Sequence, residues 1–185
     1  SPTPVELYPT AEAQDVYRSF VAEAGLPTAA VEPSIPALHA FRLPVKDGVA
    51  LIAYNDGDRE LLVSFSIPGT ERRLSLELAP GRPGLVLISD DGSITAVEAQ
   101  GKVTLGEETI AVFEGHQALA ALDGVDLRRS QQIAVIPFGP GVVTLGGGSA
   151  GDGRVCEVGE FRSAAWVPLE QQELKGAERA RTTVD

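Results

Sequence analysis

"GLVLISDDGSITAVEAQGKVTLGEETIAVFE", Gly84 to Glu114, decides the fold class. Four short apolar runs are separated by acids and glycines. "GLVLIS" and "SITAVEA" flank "DDG", and "KVTL" and "TIAVFE" flank "GEE". Runs of this length, rich in β-branched residues and bounded by Asp and Gly, are strands, and so short a link between two of them makes a hairpin. Working outward, the pattern continues on both sides. "ALHAFRL" precedes "VALIAYN" and "ELLVSFSI", which flank "DGDR"; that link reads as a tight hairpin turn with Gly57 at positive φ. "RRLSLELA" alternates, so Leu74, Leu76 and Leu78 share one face. Later come "HQALAALD", then "QQIAVIPF" and "VVTL" around Gly139-Pro140-Gly141. "RVCEVGEF" and "AAWVPLE" follow "GGGSAGDG", which reads as a long hairpin loop. The expected fold is mainly β, an antiparallel β-sandwich with one N-terminal α-helix.

The helix is expected in "TAEAQDVYRSFVAEAG". Thr10 can cap it, and Glu12 and Asp15 suit its positive end. Ala13, Val16, Tyr17, Phe20, Val21 and Ala24 form one apolar stripe, and Gly25 and Pro27 stop the helix. The stripe needs something to pack on. The organisation expected is a helix and proline-rich connector over 1–36, a sandwich over 37–169, and a polar tail over 170–185 holding at most a last strand.

Composition limits the partners. The chain has 185 residues and a net charge of −11, a surface that repels phosphate backbones, so no nucleic-acid partner is expected. No apolar run approaches the roughly 20 residues of a membrane span, so no membrane partner is expected either. Cys156 is the single cysteine, so the compartment is left open between cytoplasm and secretion. The chain lacks methionine altogether, and it reads as a domain excised from a longer chain, a processed product, or a chain whose tag has been removed.

Few residues carry chemistry. His39 and His116 are the only histidines and read as structural or surface residues. The acidic turns "NDGDRE", "SDDGS" and "GDGR" resemble fragments of calcium loops, but Asp and Asn also build turns through their own backbone, and that reading is preferred. "GPGVVTLGGG" has neither phosphate-loop spacing nor a following helix. No catalytic residue, metal ligand or cofactor is assigned. Trp166 and Tyr54 are the candidate ligand-binding residues, because an exposed aromatic face can stack on a sugar ring; for Trp166 a core or interface position is the competing reading.

Segment order adds a resemblance. "PVELYPTAEAQDVYRSFVAEAG", "HAFRLPVKDGVALIAYNDGD", "LELAPGRPGLVLISDDGSITAVEAQGKV" and "HQALAALDGVDLRRSQQIAVIPFGPGVVTL" occur in this order, from Pro4 to Leu145. The order resembles the β-rich region that follows the (β/α)8 barrel in glycoside hydrolases of the β-galactosidase-like group. The resemblance implies a strand pair ending at Asn55 and a late strand entered at Ser130 and Ile133. The barrel and its two catalytic glutamates have no counterpart here. It therefore implies a non-catalytic accessory sandwich that packs on a catalytic domain or mediates assembly. An isolated domain of that kind should expose apolar surface on or near the N-terminal helix. Two alternatives stand beside it: a carbohydrate-binding module, and a free-standing hydrolase with an unidentified acid pair.

Overall fold

A computed structural model describes residues 31–67, 71–146, 154–162, 165–174 and 179–182. The helix expected over residues 10–25 lies outside the described residues, and among those described there is no helix. Beyond β1 (Val31–Glu32) and a polar last strand, the strands follow the apolar runs of the sequence. They are β2 (Leu38–Val45), β3 (Gly48–Asn55), β4 (Leu61–Ser66), β5 (Arg73–Leu78), β6 (Pro83–Ser89), β7 (Ile94–Ala99) and β8 (Lys102–Leu105). The second half adds β9 (Glu108–Glu114), β10 (Gln117–Ala121), β11 (Gln132–Pro137), β12 (Gly141–Leu145), β13 (Arg154–Arg162), β14 (Ala165–Leu174) and β15 (Arg179–Thr182). β1 falls inside the stretch expected as connector, and β15 inside the expected polar tail.

Two sheets result. Sheet A runs β1-β4-β5-β8-β9-β12-β15 and sheet B runs β14-β13-β11-β10-β7-β6-β3-β2. The chain builds them alternately, laying a hairpin in B, then one in A, so both sheets grow from the same end. Two strands in the opposite sheet return the chain antiparallel to where it left, as from β3 to β6 and from β5 to β8. β12 enters sheet A alone. With one strand between them, β11 and β13 must run the same way, and they pair parallel, unlike every other pairing here. A parallel pair needs a crossover, and β12 provides it.

This winding corrects several expected hairpins. "DGDR" links β3 in sheet B to β4 in sheet A, so it is a crossing between layers and no hairpin. Gly57 is not among the positive-φ glycines; its N–H donates to Asn55 Oδ1 at 3.0 Å, and that side-chain turn makes positive φ unnecessary. "GGGSAGDG" likewise joins β12 to β13 across the layers, and β13 finds its antiparallel partner in β14. The hairpins at "DDG" and "GEE" are present, with Gly92 and Gly106 both at positive φ. The core lies between the sheets. Leu74, Leu76 and Leu78 of β5, and Phe113 of β9, meet Leu51, Val86, Val97 and Leu119 of sheet B.

Candidate docking face

The inward side of each strand is fixed by the core, so alternation fixes the outward side. In sheet B the inward residues are Leu51, Val86, Val97, Leu119 and Val135. Register then sets Phe41, Ile52, Leu85, Glu98, Ala118 and Ile136 in one outward row across six strands. The next row is Leu43, Ala50, Leu87, Ala96, Ala120 and Ala134. Two adjacent rows on the side away from the core are thus apolar, with Glu98 as the single charge. The rim is open: Phe41 is 54% exposed and Phe138 55%. Between them Leu85, Leu87, Ala96, Ala118 and Ala120 are half-buried, while Ala50 is 5% exposed and Ala134 0% although both point outward. Leu43 and Val45 continue the exposed strip along edge strand β2.

Most polar groups on this face gather in a flanking row. Its members are His39 and Tyr54 on β2 and β3, Pro83, Gln100, His116 and Phe138. Tyr54 is 37% exposed, with its ring 6.4 Å from that of His39. His39 Nε2 lies 3.8 Å from Asp56 Oδ2. Further along, His116 Nε2 is 2.8 Å from Glu98 Oε1, and Phe138 packs on the imidazole with ring centroids 4.9 Å apart. Three strands separate β2 from β10, which sets the two histidines about 19 Å apart. They do not converge on one substrate. Gln100 Oε1, buried within the row, has no hydrogen-bond partner among the described residues.

Trp166 sits on β14, opposite Phe161 in register; its side chain lies outside the described residues. The two candidate ligand residues are on different strands, β3 and β14, separated by β6, β7, β10, β11 and β13.

The acidic turns hold themselves together. Ser93 N–H and the Ser89 hydroxyl both donate to Asp91 Oδ1, at 3.0 and 2.6 Å. These bonds, the Ser89 hydroxyl foremost, hold the Asp91 carboxyl below the usual carboxylate range. Asn55, fully buried, donates through Nδ2 to the carbonyls of Arg59 and Leu78, and so ties the end of β3 to β5. Among the described residues no three His, Cys, Asp or Glu side chains gather to hold a metal. "GDGR" lies largely outside the described residues.

The segment from Leu122 to Gln131, between β10 and β11, carries the strongest electrostatics. Gly124 takes φ 71° in its Asp-Gly turn. Asp123 Oδ1 accepts the Ser130 hydroxyl at 2.8 Å, and its Oδ2 accepts Gln131 N–H at 3.1 Å. Asp126, fully buried, accepts Arg128 Nε at 2.7 Å and Nη2 at 2.7 Å, a two-point pairing, together with the N–H groups of Arg128 and Ile94. Arg128 Nη1 reaches Glu108 Oε2 at 3.0 Å. Burial pushes the Asp126 carboxyl up, but the Arg128 side chain, its backbone N–H and its charge pull it below the usual range. The same bonds hold the Arg128 guanidinium well above its ordinary value. Glu108 belongs to the β8–β9 hairpin of sheet A, so this is a clasp between the layers. Its charges are satisfied by the fold itself.

No protein-family description, no curated protein and no solved structure matches this chain.

Proposed function

We propose that the chain is a non-catalytic accessory β-sandwich, which packs on a catalytic domain or mediates assembly, with a glycoside hydrolase of the β-galactosidase-like group as the parent. One observation supports the packing role above the rest: the outward side of sheet B is apolar across six strands. A sandwich with both outer faces in water carries polar residues on both. A broad apolar face rimmed by polar groups is the usual form of an interaction surface. The parentage rests on the segment order described above. Reading the coding sequence upstream of residue 1 tests it. A (β/α)8 barrel in the same frame supports the proposal, and a start codon at that point contradicts it.

A carbohydrate-binding role is the second reading. Tyr54 supports it, because its exposed ring stands on the outward row beside His39 and Asp56, a pairing of aromatic face and hydrogen-bonding groups suited to a sugar. Titration with a panel of oligosaccharides separates the readings. The accessory role expects no saturable binding, and binding abolished by Tyr54→Ala would favour the second.

A further inference from the structure

We propose that edge strand β2 pairs with the β2 of a second copy of this chain, joining the two B sheets into one. The inference goes beyond the function proposed above, and the pairing leaves the outer face of sheet B uncovered. Of the strands that end the two sheets, only β2 is both long and regular. β1 has two residues and β15 four. β14 is longer, but it carries Pro168, and its partner β13 shifts register between Val158 and Gly159; irregularity of this kind turns an edge away from partners. β2 runs from Leu38 to Val45 in unbroken register with β3. Phe41, Leu43 and Val45 are exposed along it, where an edge that avoids partners carries charge. From Pro33 to Lys46 the chain has no Asp or Glu, so the strand brings no carboxylate of its own against its copy despite the net charge of −11.

The backbone groups on this edge select a second copy. Asp56 N–H donates to the Ala37 carbonyl at 2.8 Å, so the odd-numbered residues of β2 bond to β3. The even-numbered ones, Leu38, Ala40, Arg42 and Pro44, turn their N–H and C=O groups to the edge, and among the described residues no strand lies beyond it. Both ends of the edge lack a donor. Leu38 N–H is taken by the Ile35 carbonyl at 3.1 Å, and Pro44 has no N–H. Ala40 and Arg42 between them each offer one donor and one acceptor. An antiparallel pair with Phe41 of one copy opposite Phe41 of the other sets each Ala40 against the other copy's Arg42, and uses all of these groups. Leu38 then falls opposite Pro44, so the positions without a donor face each other. Centring the pair on Ala40 leaves the Arg42 carbonyl facing Leu38, with no donor. Centring it on Arg42 leaves the Ala40 carbonyl facing Pro44, again with no donor, and sets like charges directly opposite. The matching pattern is thus two-fold symmetric about Phe41, as a contact between identical copies requires. On the outward side the same register packs Phe41 on Phe41 and Leu43 beside His39.

Disulfide trapping in the full-length chain tests the register. On a Cys156→Ser background, Phe41→Cys and Leu43→Cys are compared under mild oxidation. The two positions are similarly exposed, at 54% and 49%. In the proposed pair the two copies of residue 41 have Cα atoms about 4.5 Å apart, within disulfide reach, whereas those of residue 43 are offset by about 14 Å along the strands. Phe41→Cys should therefore form a disulfide-linked dimer several times faster than Leu43→Cys. Equal rates, or no link in either variant, would overturn the proposal. Hydrogen exchange in the unaltered chain, kept reduced, covers the case in which a cysteine variant misfolds. The amides of Ala40 and Arg42 should exchange several-fold more slowly as protein concentration rises and sedimentation shows a dimer. A dimer in which these two amides exchange as fast as in the monomer overturns the proposal by placing the contact elsewhere. Fast exchange at every concentration overturns it too, and leaves the edge to an extended strand of another protein. These outcomes are separate from those for the function proposed above. An upstream frame without a barrel would sink the parentage and leave the β2 pair in place, and failure of the β2 pair would leave the outer face of sheet B as the packing surface.

Discussion

The outer faces of the two sheets are built from the same kind of strand and carry opposite chemistry. On sheet A, polar groups pair with one another across the strands. Ser64 Oγ and Ser75 Oγ are 2.9 Å apart, Arg73 bonds Glu32, and Glu77 accepts Lys102 N–H at 2.7 Å. Among the described residues Leu62 is the one large exposed apolar side chain there, of the kind any surface tolerates. On sheet B the outward rows are leucine, isoleucine and alanine, with Glu98 held by His116 at their margin. Both faces back the same core, so the core does not demand the difference. On the function proposed above, it follows from what lies beyond each face: water outside sheet A, and a packing partner outside sheet B.

The largest effect that bears on this contrast comes from the clasp that makes the two faces one body. Asp126→Ala leaves Arg128 without its two-point partner and should cost about 3–5 kcal/mol, the range for breaking a buried pair from one side. Urea unfolding followed by probes on each sheet should show both transitions shifting together; a shift in one sheet alone would mean the layers are not joined there. Next come paired charge insertions. Leu85→Asp on sheet B should destabilise by about 2 kcal/mol, because it takes a carboxylate into a packed apolar row. Ser75→Asp on sheet A should stay within about 0.5 kcal/mol. Equal costs would erase the contrast.

Acid should open the clasp. The Asp126 carboxyl is lower in the folded chain than in the unfolded one, so its contribution is complete above the unfolded value of about 3.9 and is lost as pH falls through the lower folded value. Asp123 behaves in the same sense: burial raises it, and the Ser130 hydroxyl with the surrounding backbone N–H groups lowers it further. Asp126→Asn should therefore flatten the fall in stability between about pH 5 and pH 2; an unchanged slope would remove this carboxylate from the acid response. The smallest effect is at the rim. Phe41→Lys should leave stability within about 0.5 kcal/mol while reducing dye binding and self-association, and the matching change Leu62→Lys on sheet A should alter neither.

Much of the strand order was legible in the sequence, because alternation and Asp-Gly turns are local signals. The Leu74, Leu76 and Leu78 face and the hairpins at "DDG" and "GEE" follow from them directly. Which connections cross between layers was not legible. "DGDR" satisfies the local rules of a hairpin, and only the pairing of β3 with β6 sends the chain to the other sheet. The apolar outer face of sheet B was missed although its signal was present. β3 "GVALIAYN", β6 "PGLVLIS" and β11 "QIAVIP" are continuous apolar runs, whereas β5 "RLSLEL" and β8 "KVTL" alternate. Strands covered on both sides read as continuous runs. The roles of Asp126 and Arg128 were hidden for another reason. Two residues apart in a loop, they look like surface charge, and their burial depends on Glu108 arriving from the other sheet.

Solvent accessibility of methyl groups, measured by NMR with a soluble paramagnetic probe, compares the two faces directly in the full-length chain. Leu85, Leu87 and Ile136 on sheet B should be attenuated little, close to core residues such as Leu76, while Leu62 on sheet A, 61% exposed, is strongly attenuated. Attenuation of Leu85 and Leu87 equal to that of Leu62 would contradict a covered face on sheet B.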